Sequence, residues 1–182
     1  MPESFFNRRV ARVFSREERD ALLKGLDGSS FRLLDTADYR VMYFHEALVE
    51  YDYVSDAAAL GKRLADVFGI VGKYFPANRI ALKYHPGNGE SKTPVTFGTR
   101  LPDFIPAEFL YDEKIKVYVG ITSQALANVE KGVAVSLIDL IKFKQETIKE
   151  KLKKALIDWS RSDILFPKSL EEFEKILVGL KE

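Results

Sequence analysis

Three places in this 182-residue chain put groups able to handle an anion where an apolar run gives out. The first is Lys83-Tyr84-His85-Pro86. The proline forces the backbone of His85 to be extended and ends the strand before it, so the imidazole projects from a strand end. Imidazole exchanges protons near neutral pH and donates well to an anion; a hydrogen-bonded structural histidine at a loop start would fit the same string. The second is Ile121-Thr122-Ser123-Gln124, where a β-type run meets a helical one. Two hydroxyls and the free N–H groups of a helix start make a seat for phosphate, although ordinary N-capping uses the same hydroxyls. The third is Ile105-Pro106-Ala107-Glu108. Proline in a first turn with a glutamate just inside it is helix-start grammar, and a carboxylate so placed can also accept from a ribose diol. Together these residues would give one clamp for a phosphate and one for a sugar.

Such groups act only if a scaffold gathers them, and the hydrophobic pattern supplies one. Residues 40–44 (RVMYF), 79–84 (RIALKY), 116–121, 133–139 and 163–166 read as buried strands. Ser55 is the expected cap of a helix facing inward through Leu60, Leu64, Val67, Phe68 and Val71. Residues 122–131 read as a short helix closed by Gly132. Ile148, Leu152, Ala155, Leu156 and Trp159 make the apolar face of a lysine-rich helix carrying a Glu150–Lys154 pair. Pro167 and the Ser169…Glu172 capping box open a last helix with Phe173 and Leu177 inward. Residues 87–103, punctuated by Gly87, Gly89, Pro94, Gly98 and Pro102, read as a long loop, with a lid, an acceptor contact and a disordered segment as the open alternatives. Strand and helix in alternation predict an α/β fold, a Rossmann-like parallel sheet with helices on both faces. The C-terminal strand ends then share one edge, where ligands bind.

Residues 1–30 stand apart as a helical extension before a nucleotide-binding domain spanning 31–182. Phe5, Phe6, Val10, Val13 and Phe14 fall at helical spacing among Arg8, Arg9, Arg12 and Arg16. That face suits packing on the domain or a partner subunit, with peripheral membrane contact as the alternative. The composition, 46% hydrophobic and 30% charged, is that of an ordinary globular domain. A net charge of +1 gives no field for nucleic acid, so none is expected as a partner. With no cysteine there is no disulfide, thiolate metal site or cysteine nucleophile. No run reaches the roughly 18 apolar residues of a membrane span, and no signal-peptide core is present, so a cytoplasmic protein is expected, at most at the inner membrane face. Two histidines, His45 and His85, cannot build a multi-histidine metal site, and no metal or other cofactor is expected. Asp35, Asp38, His45 and Glu46 are further polar residues near the site, with Glu46 and Glu50 assigned to a loop or helix start.

The segment 83–143 resembles the C-terminal, donor-nucleotide-binding half of bacterial GT-B sialyltransferases of the lipooligosaccharide and polysialic-acid capsule types. Lys83-Tyr84-His85-Pro86 looks like their Lys-x-His-Pro motif, and Ile105-Pro106-Ala107-Glu108-Phe109-Leu110 like their Ile-Pro-x-Glu-x-Leu segment. Val117-Tyr118-Val119-Gly120-Ile121-Thr122-Ser123 looks like the strand that leads to their serine pair. The resemblance implies that His85, Thr122 and Ser123 hold the phosphate of a CMP-activated sugar and Glu108 its ribose, with Lys83 and Pro86 part of the same nucleotide site. It also implies His85 as the catalytic group, a general acid on the leaving phosphate, with no metal. Thr122 departs from the family's serine but keeps the hydroxyl. The larger departure is length: the family has two Rossmann-like halves, with the base that activates the glycan acceptor in the N-terminal one. This chain has room for one half, so a second half or a second copy is the expected partner. Two other functions stay open: a UDP- or CDP-linked donor on the same fold, and a non-catalytic module that binds a nucleotide or a partner chain.

Overall fold

The computed structural model describes residues 38–85, 91–103, 105–107 and 110–180. The expected extension at 1–30, with Phe5, Phe6, Val10, Val13 and Phe14, lies outside the described residues, as do Asp35, Pro86 and Glu108.

Among the described residues six strands form one sheet: β1 (Val41–His45), β2 (Ile80–Tyr84), β3 (Thr99–Arg100), β4 (Val117–Gly120), β5 (Val133–Ser136) and β6 (Ile164–Leu165). Every pair is parallel, and the spatial order is β3-β2-β1-β4-β5-β6. The α/β Rossmann-like fold read from the sequence is therefore present. Among the described residues three α-helices accompany the sheet: α1 (Ala57–Tyr74), α2 (Glu146–Trp159) and α3 (Leu170–Val178). The chain runs outward from β1 through β2 to β3, then returns to β4 on β1's other side and runs outward again. The β1/β4 boundary is thus the point where the topology switches direction.

The central strands are apolar runs because both faces of the sheet are covered. Along β1, Val41 and Tyr43 enter one core with Leu60, Leu64, Val67, Phe68 and Val71 of α1 and Phe173 and Leu177 of α3. Met42 and Phe44 enter the other, closed by Leu101, Ile105, Leu110, Leu126 and Val129. Leu126 belongs to a 3₁₀ turn (Gln124–Asn128) that Val129 closes, and the other three lie on the chain between β3 and β4. Irregular chain can cover a sheet only if its polar groups are satisfied. Here the Tyr118 hydroxyl accepts from Asp112 N at 2.9 Å and donates to Asp112 O at 3.0 Å, and Tyr111 donates to Ala125 O at 2.6 Å.

Several local expectations are corrected. The cap of α1 is Asp56, which accepts from Ala59 N at 2.8 Å; Ser55 is one residue too early. The loop at 87–103 contributes a short edge strand, β3. On α2 the ion pairs are Lys154–Asp158 and Lys149–Glu146 in place of Glu150–Lys154, and Trp159 remains 44% exposed. At α3 the capping box forms with a shift: Ser169 Oγ accepts from Glu172 N, while the Glu172 carboxylate accepts from Lys168 N.

Gly132 turns the chain into β5 at φ +86°, where a Cβ would lie 2.7 Å from the Ile115 carbonyl oxygen. Gly61, by contrast, is inside α1 with nothing within 4 Å of a built Cβ. Gly132→Ala is expected to lower stability by about 2 kcal/mol. Gly61→Ala is expected to raise it by about 0.5–1 kcal/mol. Urea unfolding of the two variants checks both signs.

Candidate functional site at the topological switch point

In open α/β sheets ligands bind beyond the C-terminal strand ends where the strand order reverses, because the loops part there and leave a crevice. Here that crevice is a cleft of about 660 Å³. Its walls include His45 and Glu46 from the end of β1, Lys83 and His85 from β2, Pro106 and Ala107, and Thr122 and Ser123 from the β4 exit. Four residues expected from the sequence, Lys83, His85, Thr122 and Ser123, thus line one cavity.

Their states differ. His85 is exposed. Lys83 is only 4% exposed, and its ammonium donates to the carbonyl oxygens of Tyr84 and, at 2.9 Å, Asp103. A buried ammonium tied to carbonyls places a positive charge under the cleft wall and fixes the chain that follows β3. Ser123 heads the Gln124–Asn128 turn without a side-chain cap bond. That turn is a five-residue 3₁₀ segment in place of the expected helix, too short to add a useful dipole. A phosphate would rely on individual donors here.

Those donors already have an acceptor. The Glu46 carboxylate accepts from Ile121 N at 2.8 Å, from Thr122 N, and from Thr122 Oγ1 at 3.1 Å. In the sequence Glu46 reads only as a polar residue of a loop or helix start, since nothing local in His45-Glu46-Ala47 shows that residues 75 and 76 positions later will meet it. Only the β1/β4 adjacency does. Burial pushes the Glu46 carboxyl up to about 7, against the opposing pull of the Ile121 and Thr122 hydrogen bonds.

The neighbouring histidine is perturbed in the opposite sense. His45 is 3% exposed, stacks on the Tyr84 ring at 4.2 Å, and places Nε2 2.9 Å from Thr93 O. A carbonyl can only accept, so the ring is the Nε2–H tautomer, and Nδ1 is left buried without a partner. Burial lowers its pKa, with the Thr93 contact opposing. An imidazole so enclosed is structural and holds the 91–93 segment over the end of β1.

Two further features shape the cleft. A Cβ at Gly120 would sit 3.3 Å from Leu126 and Ser123 side-chain atoms, so glycine there lets the 123–126 turn pack against β4. Ser136 Oγ donates to Ile121 O at 2.6 Å, fixing the exit of β4 from the β5 side. At the rim, the 47–53 turn carries Asp52 at φ +61° and places Tyr51 and Tyr53 in the lining. Among the described residues no cluster of His, Cys, Asp and Glu is suited to a metal ion, and no helix is long and apolar enough to cross a membrane. Comparison with protein-family models, with curated proteins and with solved structures returned no match.

Because the Glu46 carboxyl is raised in the folded chain, that chain holds a proton which the unfolded chain releases between about pH 4.5 and 7. Stability therefore falls as pH rises through this window, by at most about 3 kcal/mol from this group. His45 has the reverse sign, since the unfolded chain takes up its proton first as pH falls below about 6.5. In Glu46→Gln, the loss of stability between pH 5 and pH 8 should shrink by about 1–3 kcal/mol relative to wild type. Urea unfolding at the two pH values reads this difference, and any constant packing cost of the substitution cancels.

Proposed function

We propose that the cleft is the donor site of a sialyltransferase-like glycosyltransferase that takes a CMP-activated sugar and passes the sugar to a glycan acceptor. The observation that carries this reading is that Lys83 and His85 from one motif and Thr122 and Ser123 from another line one cleft at the switch point. The motif resemblance supplies the cytidine base and the sugar class.

Transfer from such a donor breaks the bond between the anomeric carbon and a phosphate oxygen, and negative charge develops on the departing phosphate. Groups aimed at that oxygen stabilise the transition state more than the ground state. In this reading His85 donates a proton or hydrogen bond to the leaving phosphate, Ser123 and Thr122 supply hydroxyl donors, and the Lys83 ammonium adds positive charge from within the wall. Tyr51 and Tyr53 offer aromatic surface on which a base or sugar ring can stack. Glu108 is the proposed ribose contact, and Pro86 orients His85; both lie outside the described residues. A second Rossmann-like half, or a second copy of the chain, would bring the acceptor and its base.

One observation favours a non-catalytic binding module instead: the Ile121 and Thr122 donors are already satisfied by Glu46. A titration tests nucleotide binding at the cleft and the choice of donor. At pH 6, CMP is expected to bind in calorimetry more tightly than CDP, UMP or UDP, and His85→Ala to weaken it at least tenfold, about 1.4 kcal/mol. Preference for UDP or CDP would move the donor assignment. Absence of binding by any of the four at millimolar concentration would sink the donor-site reading.

A further inference from the structure

A phosphate seat at a strand exit consists of backbone N–H groups and a hydroxyl pointing at one place. At the exit of β4 those groups are Ile121 N, Thr122 N and Thr122 Oγ1, and all three point at the Glu46 carboxylate. Glu46 reaches them from β1, the strand next to β4 across the switch point, and it also lines the cleft. A carboxylate presents two acceptor oxygens to these donors much as a phosphate would.

We propose that Glu46 is the resident anion of this seat, that an anionic ligand and the ionised Glu46 carboxylate exclude each other there, and that anion binding is coupled to uptake of one proton by Glu46. This inference rests on reading the cleft as a phosphate seat and adds how that seat is controlled. Two anions cannot share the same donors in a partly enclosed site without strong repulsion. Protonation removes the competing charge, and the raised carboxyl pKa puts that event near neutral pH. The groups facing Glu46 fit this account. Tyr43 on β1 is fully buried and pushed further up by the Glu46 charge, so it stays neutral. His45 is held neutral by burial. Tyr84 stacks on His45, and Glu50 accepts from Lys92 N at 2.7 Å. Lys83 is engaged by two carbonyl oxygens, so its charge is partly spent on the chain itself. Substitution at Glu46 separates its contribution from those of the other residues lining the cleft.

Sulfate is the probe, because it keeps its double charge throughout the range. Wild-type protein should bind sulfate at least tenfold more tightly at pH 6 than at pH 8.5. Calorimetry at pH 8.5 in two buffers of different ionisation enthalpy should count one more proton taken up by wild type than by Glu46→Gln. That variant should bind at pH 8.5 at least tenfold more tightly than wild type. Infrared difference spectra of wild type should show the carbonyl stretch of a protonated carboxylic acid appearing on sulfate addition, a signal no histidine can give and one that needs no variant. Equal proton uptake and equal pH dependence in the two proteins, with no carboxylic-acid band, would overturn the proposal while leaving the nucleotide reading intact. Loss of sulfate binding in a folded Glu46→Gln would overturn it by making Glu46 part of the seat. Failure of sulfate to bind either protein at pH 6 would also overturn it; CMP binding under the same conditions would show that the donor reading survives.

Discussion

The Glu46 carboxylate joins the end of β1 to the exit of β4, and the geometry of the cleft depends on that bridge. The β1–β4 ladder ends at Tyr43 and Val119, and beyond it the two chains part in opposite directions across the sheet. Here one side chain satisfies two backbone N–H groups and a hydroxyl across the gap. From the far side, Ser136 Oγ holds the Ile121 carbonyl at 2.6 Å. The Ile121-Thr122 peptide is thereby gripped from both neighbouring strands. Each donor left unsatisfied in such a place would cost about 1–3 kcal/mol, so the bridge is both a structural tie and a chemical constraint on whatever enters.

That constraint sets the charge logic of the site. The strand order matches that of dinucleotide-binding sheets, in which a glycine-rich turn after the first strand lets a pyrophosphate approach the backbone. The turn after β1 in this chain is Glu46-Ala47-Leu48, with a carboxylate where that approach would be made. Two unit charges 4 Å apart at an effective dielectric constant near 20 repel by about 4 kcal/mol. Binding a phosphate beside an ionised Glu46 is therefore strongly disfavoured, and binding beside a neutral one is not. Adjacent residues respond to one cause in opposite senses: burial favours the neutral form of both, raising the carboxyl of Glu46 and lowering the imidazole of His45. Burial thus opposes charge on both residues, and the Lys83 ammonium lies within the wall of the same cleft.

How far the sequence reveals this differs by range. The strands β1, β2, β4 and β5 are legible because each is a short apolar run buried on both faces, and α1 is legible because its inward residues keep helical spacing. The edge strand β3 is not, since two residues, Thr99 and Arg100, carry no periodicity. Residues 122–131 read as a short helix closed by Gly132, but the chain forms only a 3₁₀ turn at 124–128, where Leu126 joins the core of Phe44 and Tyr118. In the site, Lys83, His85, Thr122 and Ser123 are legible from strand-end grammar, because a parallel sheet must bring such ends to one edge. Glu46 is not, because its meaning comes from partners 75 and 76 residues away, and a carboxylate in a loop has no local signature.

The most direct test of the account is at the two amides themselves. In a ¹⁵N–¹H spectrum the Ile121 and Thr122 resonances should titrate with a midpoint near pH 7 in the ligand-free protein, following Glu46. At pH 6 they should be among the resonances most shifted by CMP, together with those of Ser123 and His85. Amides of Ile121 and Thr122 that ignore both pH and CMP, while the largest changes fall elsewhere on the sheet or along α1, would contradict the claim that this switch-point cleft is an anion seat held by Glu46.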